Sequence, residues 1–287
     1  MVRPLFILVA LIALPGIARA DQDDVPVSFG SADHLFTEDT DTTWLTATET
    51  SVDLGFYALR DEHHSWHGRL KGDLAIAQFG RDTLWRMGLA MQTVADHRNE
   101  IAFRLTRLYY DTSLLLEHRL FSGVGYLGYR HRCSHGADAA VPGRILIRSG
   151  PELGYQHDMS WGALVLSARA FLHGTLIGQN SDPKFKPRLH WAKVFRLAYR
   201  PASVTWFASL GYGTTLVSSG KGRTFGFGTP WRDMDFVVLP AAALGVIAHG
   251  RAADFTVMLH YQRIMDSGFG VTGDPSSLAN LELGFGW

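Results

Sequence analysis

The sequence has almost no cysteine. Cys133 is the single one among 287 residues, so no disulfide can form within the chain. An excess of charge is also missing, because 27 lysines and arginines balance 27 aspartates and glutamates. Proteins that bind nucleic acid usually carry a basic face, which this balance argues against. A disulfide scaffold and a nucleic-acid-binding protein are therefore excluded as interpretations.

The chain after residue 20 also lacks a hydrophobic run long enough for a membrane-spanning helix. The longest candidate covers residues 237–248 and is interrupted by Pro240 and Gly245. A helix that crosses a bilayer needs about 20 apolar residues. The remaining possibilities for an exported chain are a periplasmic or secreted protein and an outer-membrane barrel.

Export is indicated by the first 20 residues. Arg3 is followed by a short apolar core over residues 5–14, and Ala18 and Ala20 match a small-x-small cleavage site. These features predict a cleaved signal peptide over residues 1–20. The alternative, a membrane anchor, would require an apolar core of about 20 residues.

What the sequence does contain, from residue 49 onward, is alternation with period two. In residues 107–120 one face carries Leu108, Tyr110, Thr112, Leu114 and Leu116, and the other face carries mainly charged residues. A strand separates these two sets and a helix would mix them. Residues 21–48 are acidic and show no sustained period, so they are interpreted as a periplasmic N-terminal extension.

About twelve segments share this alternation, and each has the length of a tilted membrane strand. Their approximate spans are 49–60, 67–78, 82–94, 105–120, 122–133, 143–157, 161–173, 188–200, 203–217, 234–248, 252–265 and 277–287. Short and longer connections alternate between them, which is typical of outer-membrane barrels. The predicted fold class is all-β, a transmembrane antiparallel β-barrel of about 12 strands formed by residues 49–287.

The C-terminal residues support this fold. Leu281, Leu283, Phe285 and Trp287 alternate, and the chain stops on an aromatic residue. Such a terminal strand resembles the signal that is read by the barrel assembly machinery, which makes that machinery an expected partner. The expected location is the outer membrane of a Gram-negative bacterium. A periplasmic β-sandwich is the alternative fold, and it explains neither the large aromatic face nor Trp287.

The opposite face of these strands would line the barrel lumen. It carries both signs of charge in a set of six residues: Asp111, Glu117, Arg130, Arg132, Arg148 and Glu152. The planar guanidinium of arginine bonds carboxylates bidentately, so ion pairs could fill a narrow lumen. The alternative is a narrow polar pore for a small solute.

The densest group of chemically active side chains is "GYRHRCSHGAD", residues 128–138, at the outer end of the fifth strand. His131, Cys133 and His135 fall on the lipid-facing side. Arg132 and Ser134 fall on the lumen side, provided that the strand stays regular. The pleat therefore separates His131 from Ser134.

This stretch resembles the His-x-Ser-Asn-Gly motif that outer-membrane phospholipase A carries on the lipid-facing wall of a twelve-strand barrel. It is also similar in place to the strand-borne His and Ser of outer-membrane lipid A deacylases. The resemblance implies a lipid-directed hydrolase in which His131 is the base and Cys133 stands in the nucleophile's place, with Ser134 and His135 beside them. An uncharacterised outer-membrane family with a His-x-Ser-Ser-His-Leu-Gly-Asp stretch is similar as well, and it implies no activity.

Two other interpretations of residues 128–138 stay open. His131, His135 and Asp138 are ligand types that zinc or copper accepts, although residues along a strand are spread widely. The segment could instead be a polar rim that contacts outer-membrane lipids and lipopolysaccharide. The sequence identifies no cofactor.

Overall fold

A computed structural model of the chain describes residues 24–26, 35–38, 41–59, 64–96, 104–136, 145–180, 185–226, 228–265 and 275–287. All the regular secondary structure in these residues is strand, and no helix among them is long and apolar enough to cross a membrane. The strands are β1 (Thr43–Leu59), β2 (Trp66–Phe79), β3 (Thr83–Asp96), β4 (Arg104–Leu120), β5 (Gly123–Gly136), β6 (Leu146–Trp161), β7 (Leu164–Gly174), β8 (Ile177–Asn180), β9 (Lys186–Tyr199), β10 (Val204–Ser219), β11 (Thr224–Gly226), β12 (Arg232–His249), β13 (Asp254–Ile264) and β14 (Ser276–Gly286).

Twelve of these strands close into one antiparallel barrel. Neighbours in the chain pair with each other from β1 to β7, and the ring continues through β9, β10, β12, β13 and β14. The pairing of β14 with β1 closes it, from Ser51 opposite Gly286 to Leu59 opposite Ala279. The short strands β8 and β11 extend the sheet beyond β6 at one end. The predicted twelve-strand barrel is confirmed.

The boundaries differ from the sequence prediction in three places. β1 begins at Thr43, six residues before the expected start at residue 49. β6 continues to Trp161, so the turn lies at Gly162 rather than at Asp158 and Met159. The connections expected over residues 174–187 and 218–233 contain β8 and β11, which are too short to produce a clear alternation.

The two ends of the barrel differ in their connections. One end, here called the short-turn end, carries tight turns such as Phe121–Ser122 and Gly162–Ala163, each of two residues. Phe121 has a φ of 57° and Gly162 has a φ of 60°. Such a positive φ is the conformation that a two-residue hairpin turn requires. The opposite end is called the long-loop end. In outer-membrane barrels, short turns face the periplasm and longer loops face outward.

The outward face of the strands is apolar. Leu127 is 61% exposed and Leu210 is 69% exposed, with no protein layer over either. Near the short-turn end, an aromatic belt faces outward, formed by Phe79, Trp161, Tyr199, Trp206, Phe255 and Phe285. An exposed apolar band with an aromatic girdle is the surface that contacts lipid in such barrels.

The inward face is charged, and arginines link carboxylates across strands. Arg69 on β2 bonds Asp53 and Glu282, whose strands are β1 and β14. In the same way, Arg86 bonds Asp73 and Glu117, and Arg130 bonds Asp111 and Glu152. All nine side chains are buried. A charge taken out of water is tolerated only when it is paired and hydrogen-bonded, so these triads make a closed interior possible.

The N-terminal segment contacts the interior at two levels. Asp24 and Val25 are buried in the half of the lumen near the long loops, where the backbone N–H of Met265 donates to the Asp24 carboxylate at 2.7 Å. At the short-turn end, the Thr37 N–H donates to Gln78 Oε1 at 2.8 Å, and the Arg119 guanidinium lies 4.6 Å from the centre of the Phe36 ring. These parts of the predicted periplasmic extension therefore lie against the barrel interior. Residues 1–20, the predicted signal peptide, are outside the described residues.

Removing the central arginine of a triad should destabilise the barrel. Arg130→Leu leaves Glu152 buried beside Tyr126 without its cation, and such a loss costs about 3–5 kcal/mol. Urea unfolding of the refolded protein, followed by the mobility shift between folded and unfolded forms in gels, measures it. Arg251→Ala, at an exposed turn, is the control. An Arg130 variant that unfolds together with the control would contradict the role of the triad.

Candidate functional site at the long-loop end

In the half of β5 that is nearer the long-loop end, here called the upper half, the side chains alternate between the two faces of the barrel, as the sequence predicts. Arg130, Arg132 and Ser134 are buried and face inward. His131 and Cys133 occupy the outward positions that follow Leu127 and Tyr129 along the same strand. The sequence "HRCSH" therefore contributes to two separate environments.

The inward environment is an ion-pair cluster centred on Arg130. Its Nε donates to Asp111 at 2.8 Å and its Nη1 donates to Glu152 at 3.1 Å. Arg132 reaches the second oxygen of Asp111 at 2.9 Å, and the Tyr126 hydroxyl donates to Glu152 at 2.8 Å. Every carboxylate of the cluster is thus held by donors from other strands.

Asp24 extends this cluster toward the long loops. Arg148 Nη2 donates to its carboxylate at 2.8 Å, and Arg132 Nη1 lies 3.6 Å from the same oxygen. His190 Nε2 donates to the Asp24 backbone carbonyl at 2.7 Å. Burial alone would raise the pKa of Asp24, but Arg148 and Arg132 outweigh it and hold this pKa well below its usual range. The N-terminal segment is therefore anchored as an anion in a basic part of the lumen.

Five of the six predicted lumen residues belong to this connected cluster, and Glu117 does not. Arg148 belongs to the Asp24 contact, whereas Glu117 lies in the Arg86 triad closer to the short-turn end. Between Asp24 and the wall is a cavity of about 60 Å³, lined in part by Arg132, Ser134 and Gln262. This volume has room for very few water molecules.

The outward environment contains a histidine–serine pair. His131 Nδ1 and Ser149 Oγ are 2.6 Å apart, and the two residues are direct register partners on β5 and β6. On the other side, Thr112 of β4 is the register partner of His131. Ser149 is 6% exposed and His131 is half-buried. An imidazole and a hydroxyl at this distance are hydrogen-bonded, which is the separation that a base and its nucleophile require.

The other candidates from this stretch have different surroundings. Ser134 accepts a hydrogen bond from Arg107 Nη2 at 3.2 Å inside the barrel, away from His131. Cys133 is a free, buried thiol. His135 packs edge-on against Tyr110 with ring centres 6.3 Å apart. The hydroxyl that meets His131 is thus Ser149 and not Ser134 or the group at position 133.

A metal site receives no support from the part of the chain that the structure describes. Those residues contain no group of three histidines, cysteines or carboxylates close enough to hold one ion. Asp138, the third predicted ligand beside His131 and His135, lies outside the described residues.

Ser149 and Asp24 are two residues at this end of the barrel that the sequence analysis does not identify. The alternation does predict that Ser149 faces outward, because it continues the outward series Ile145 and Ile147 on the predicted sixth strand. The sequence does not determine the register between β5 and β6, so it does not place Ser149 opposite His131. Asp24 follows no periodic pattern, so no signal marked it as a lumen residue.

The occupied lumen should prevent ion flow. In planar bilayers the protein should show no steady conductance, and Asp24→Ala should increase the frequency of brief openings because Arg148 loses its anchor. Asp41→Ala, in an exposed part of the same segment, is the control. A carboxylate with a depressed pKa keeps its charge as the pH falls, so the barrel should stay closed at about pH 4. A steady current from the unaltered protein would contradict this expectation.

No family model matches the chain, and no curated protein matches it. Solved outer-membrane proteins are similar in shape. LpxR from Salmonella typhimurium shares 9% identity at a TM-score of 0.47, over 83% of this chain and 99% of that one. The outer membrane phospholipase (OMPLA) of Salmonella typhi, a dimer with bound calcium, shares 10% identity at 0.46, over 88% and 93%. These are likenesses of shape alone, and they do not test the motif at residues 131–136.

Proposed function

We propose that the protein is an outer-membrane hydrolase that removes acyl chains from lipids at its outer wall. The observation that carries this proposal is the 2.6 Å contact between His131 Nδ1 and Ser149 Oγ on the outward face. It replaces the pairing that the sequence resemblance implied for His131 and Cys133. Ser149 is the proposed nucleophile and His131 is its base.

The position of the pair suits a lipid substrate. Below it on β5 are Tyr129 and Leu127, which are 43% and 61% exposed on the apolar outer face. Above it the chain enters the connection between β5 and β6 at the long-loop end. If that end faces outward, as in other outer-membrane barrels, the ester groups of outer-leaflet lipids would lie at the height of His131.

The proposed reaction is ordinary acyl transfer. Ser149 Oγ adds to the ester carbonyl carbon while His131 accepts the hydroxyl proton. The lipid alcohol leaves with that proton, and water then hydrolyses the acyl-serine with His131 again as base. The products are a free fatty acid and a lipid that lacks one acyl chain. His135, at the upper end of the same face, would contact the anionic headgroups.

The lumen supports this assignment over a pore. The part of the lumen near the long-loop end is occupied by Asp24, Arg148 and Arg132. The arginine triads line the lumen below them. A solute would have to break buried ion pairs to pass, at several kcal/mol for each.

We also propose that the C-terminal strand, with Trp287 after it, is the part read by the barrel assembly machinery.

Acyl release is tested by incubating the folded protein with phospholipid vesicles and lipopolysaccharide, followed by mass spectrometry. Ser149→Ala and His131→Ala should each lower the release by at least about 100-fold, the usual contribution of a positioned base. The matched control is Thr83→Ala. Thr83 bonds His118 at 2.8 Å in a second hydroxyl–imidazole pair, which is more exposed and lies at the opposite end of the barrel. Release that is absent from the unaltered protein, or equal in the Ser149 variant, would refute the proposal.

A further inference from the structure

A second constellation of reactive side chains lies at the short-turn end, on the inner face. Thr205 Oγ1 is 2.7 Å from His249 Nε2, and His249 Nδ1 is 2.9 Å from Asp254 Oδ2. A hydroxyl, an imidazole and a carboxylate are thus joined in that order through the two ring nitrogens. This is the connectivity of a nucleophile, its base and the group that orients the base.

The carboxylate determines which nitrogen carries the proton. An ionised Asp254 can only accept, so Nδ1 of His249 is the protonated nitrogen in their 2.9 Å contact. In the neutral ring, Nε2 is then an acceptor directed at the Thr205 hydroxyl. A general base needs this tautomer to take a proton from a nucleophile.

Short turns hold the three residues in register. His249 is the last residue of β12 and Asp254 the first of β13, where they are direct partners. Thr205 is the second residue of β10. The residue before it, Val204, pairs with Ala248, which precedes His249 on β12. The backbone N–H of His249 donates to the Ser203 carbonyl at 2.8 Å, which holds the backbone of His249 against the turn between β9 and β10. The group is therefore built on strand ends and not on mobile loops.

Other histidines in the described strands bond hydroxyls, and their second ring nitrogen has different surroundings. The pairs are His118 with Thr83, His131 with Ser149 and His190 with Thr215. In His190 the second nitrogen binds the Asp24 carbonyl. Within the described residues, His249 is the one whose second nitrogen is recorded against a carboxylate. An orienting carboxylate, which no described residue is seen to offer to His131, is thus present here.

The triad borders a cavity of about 360 Å³. This volume lies in the range of small-molecule sites, roughly 300–1,000 Å³. Ile247 and Met258 give it an apolar side. Its charged lining has both signs, with Lys71, Arg196 and Arg200 beside Glu49, Asp53, Asp73, Asp254 and Glu282. Side-chain exposures of 39% for His249 and 45% for Asp254 show that solvent reaches the imidazole and the carboxylate, whereas Thr205 is 2% exposed and borders the cavity from below them. A small molecule entering from the short-turn end would meet the hydroxyl, the imidazole and the carboxylate at one wall of this cavity.

We propose that this cavity is a separate hydrolytic site for small carboxylic esters, with Thr205 as the nucleophile. Thr205 Oγ1 adds to the ester carbonyl while its proton passes to His249 Nε2. The addition gives a tetrahedral oxyanion on the former carbonyl oxygen. It collapses, the alcohol leaves with the proton from the imidazolium, and water hydrolyses the acyl-threonine. Ester and water thus give one acid and one alcohol.

The test uses the full chain folded in detergent and a water-soluble p-nitrophenyl ester of a short acid. The unaltered protein should release nitrophenol, and Thr205→Val, which keeps the shape and removes the hydroxyl, should lower the rate by at least about 100-fold. His249→Gln should do the same. Asp254→Asn should also lower it, because His249 loses the partner that sets its tautomer. An acyl group trapped by acid quench should map by mass spectrometry to the peptide that contains Thr205.

The matched control is His157→Gln. His157 also lies near a short turn, where its Nδ1 donates to the Ser122 carbonyl at 2.7 Å, so its loss tests for general damage at that end. The Thr205, His249 and Asp254 variants are also compared in the Ser149→Ala background, which removes any ester hydrolysis by the outer-wall pair and so separates the two sites. No turnover by the unaltered protein, or equal turnover by a folded Thr205→Val variant, overturns the proposal whatever the lipid assay shows.

Discussion

The constraint on which the structure depends is that a narrow barrel must satisfy every charge on its inner face without bulk water. Arg69, Arg86 and Arg130 do this by each holding two carboxylates from other strands. A single ion pair would leave donors of the guanidinium unused, whereas two carboxylates engage most of them. The triads also tie non-neighbouring strands such as β2 and β14 together, which stabilises the closed ring beyond its backbone hydrogen bonds.

A closed interior limits where chemistry can occur. Among the described residues, the triads and Asp24 occupy the middle and upper lumen, which leaves the lipid-facing wall and the open cavity at the short-turn end as places where substrates can bind. Both proposed sites lie at such places and use the same element, a cross-strand contact between a hydroxyl and an imidazole. They differ in surroundings, because the pair of His131 and Ser149 faces an apolar medium and the group around His249 faces water. A third, ionised residue is easier to keep in water than beside lipid.

The sequence predicted the barrel well because period-two alternation is a local property. Twelve strands, the two faces and the lumen position of Arg130 follow from it directly. Contacts that depend on register were not predictable in the same way. His131 and Ser149 are 18 residues apart and meet only because β5 and β6 pair in one particular alignment. Asp24 meets Met265 across 241 residues, and nothing in a local pattern encodes such a contact.

The same reasoning explains why a motif read along one strand was misleading here. Ser134 is three residues after His131, but an odd separation puts the two side chains on opposite faces of the sheet. The partner of a strand-borne histidine must come from an even separation on its own strand or from a neighbouring strand directly opposite. Position 133 satisfies the first condition with a buried thiol, and Ser149 satisfies the second with a hydroxyl at 2.6 Å. In this barrel wall, therefore, the hydroxyl that contacts His131 comes from the neighbouring strand and not from its own.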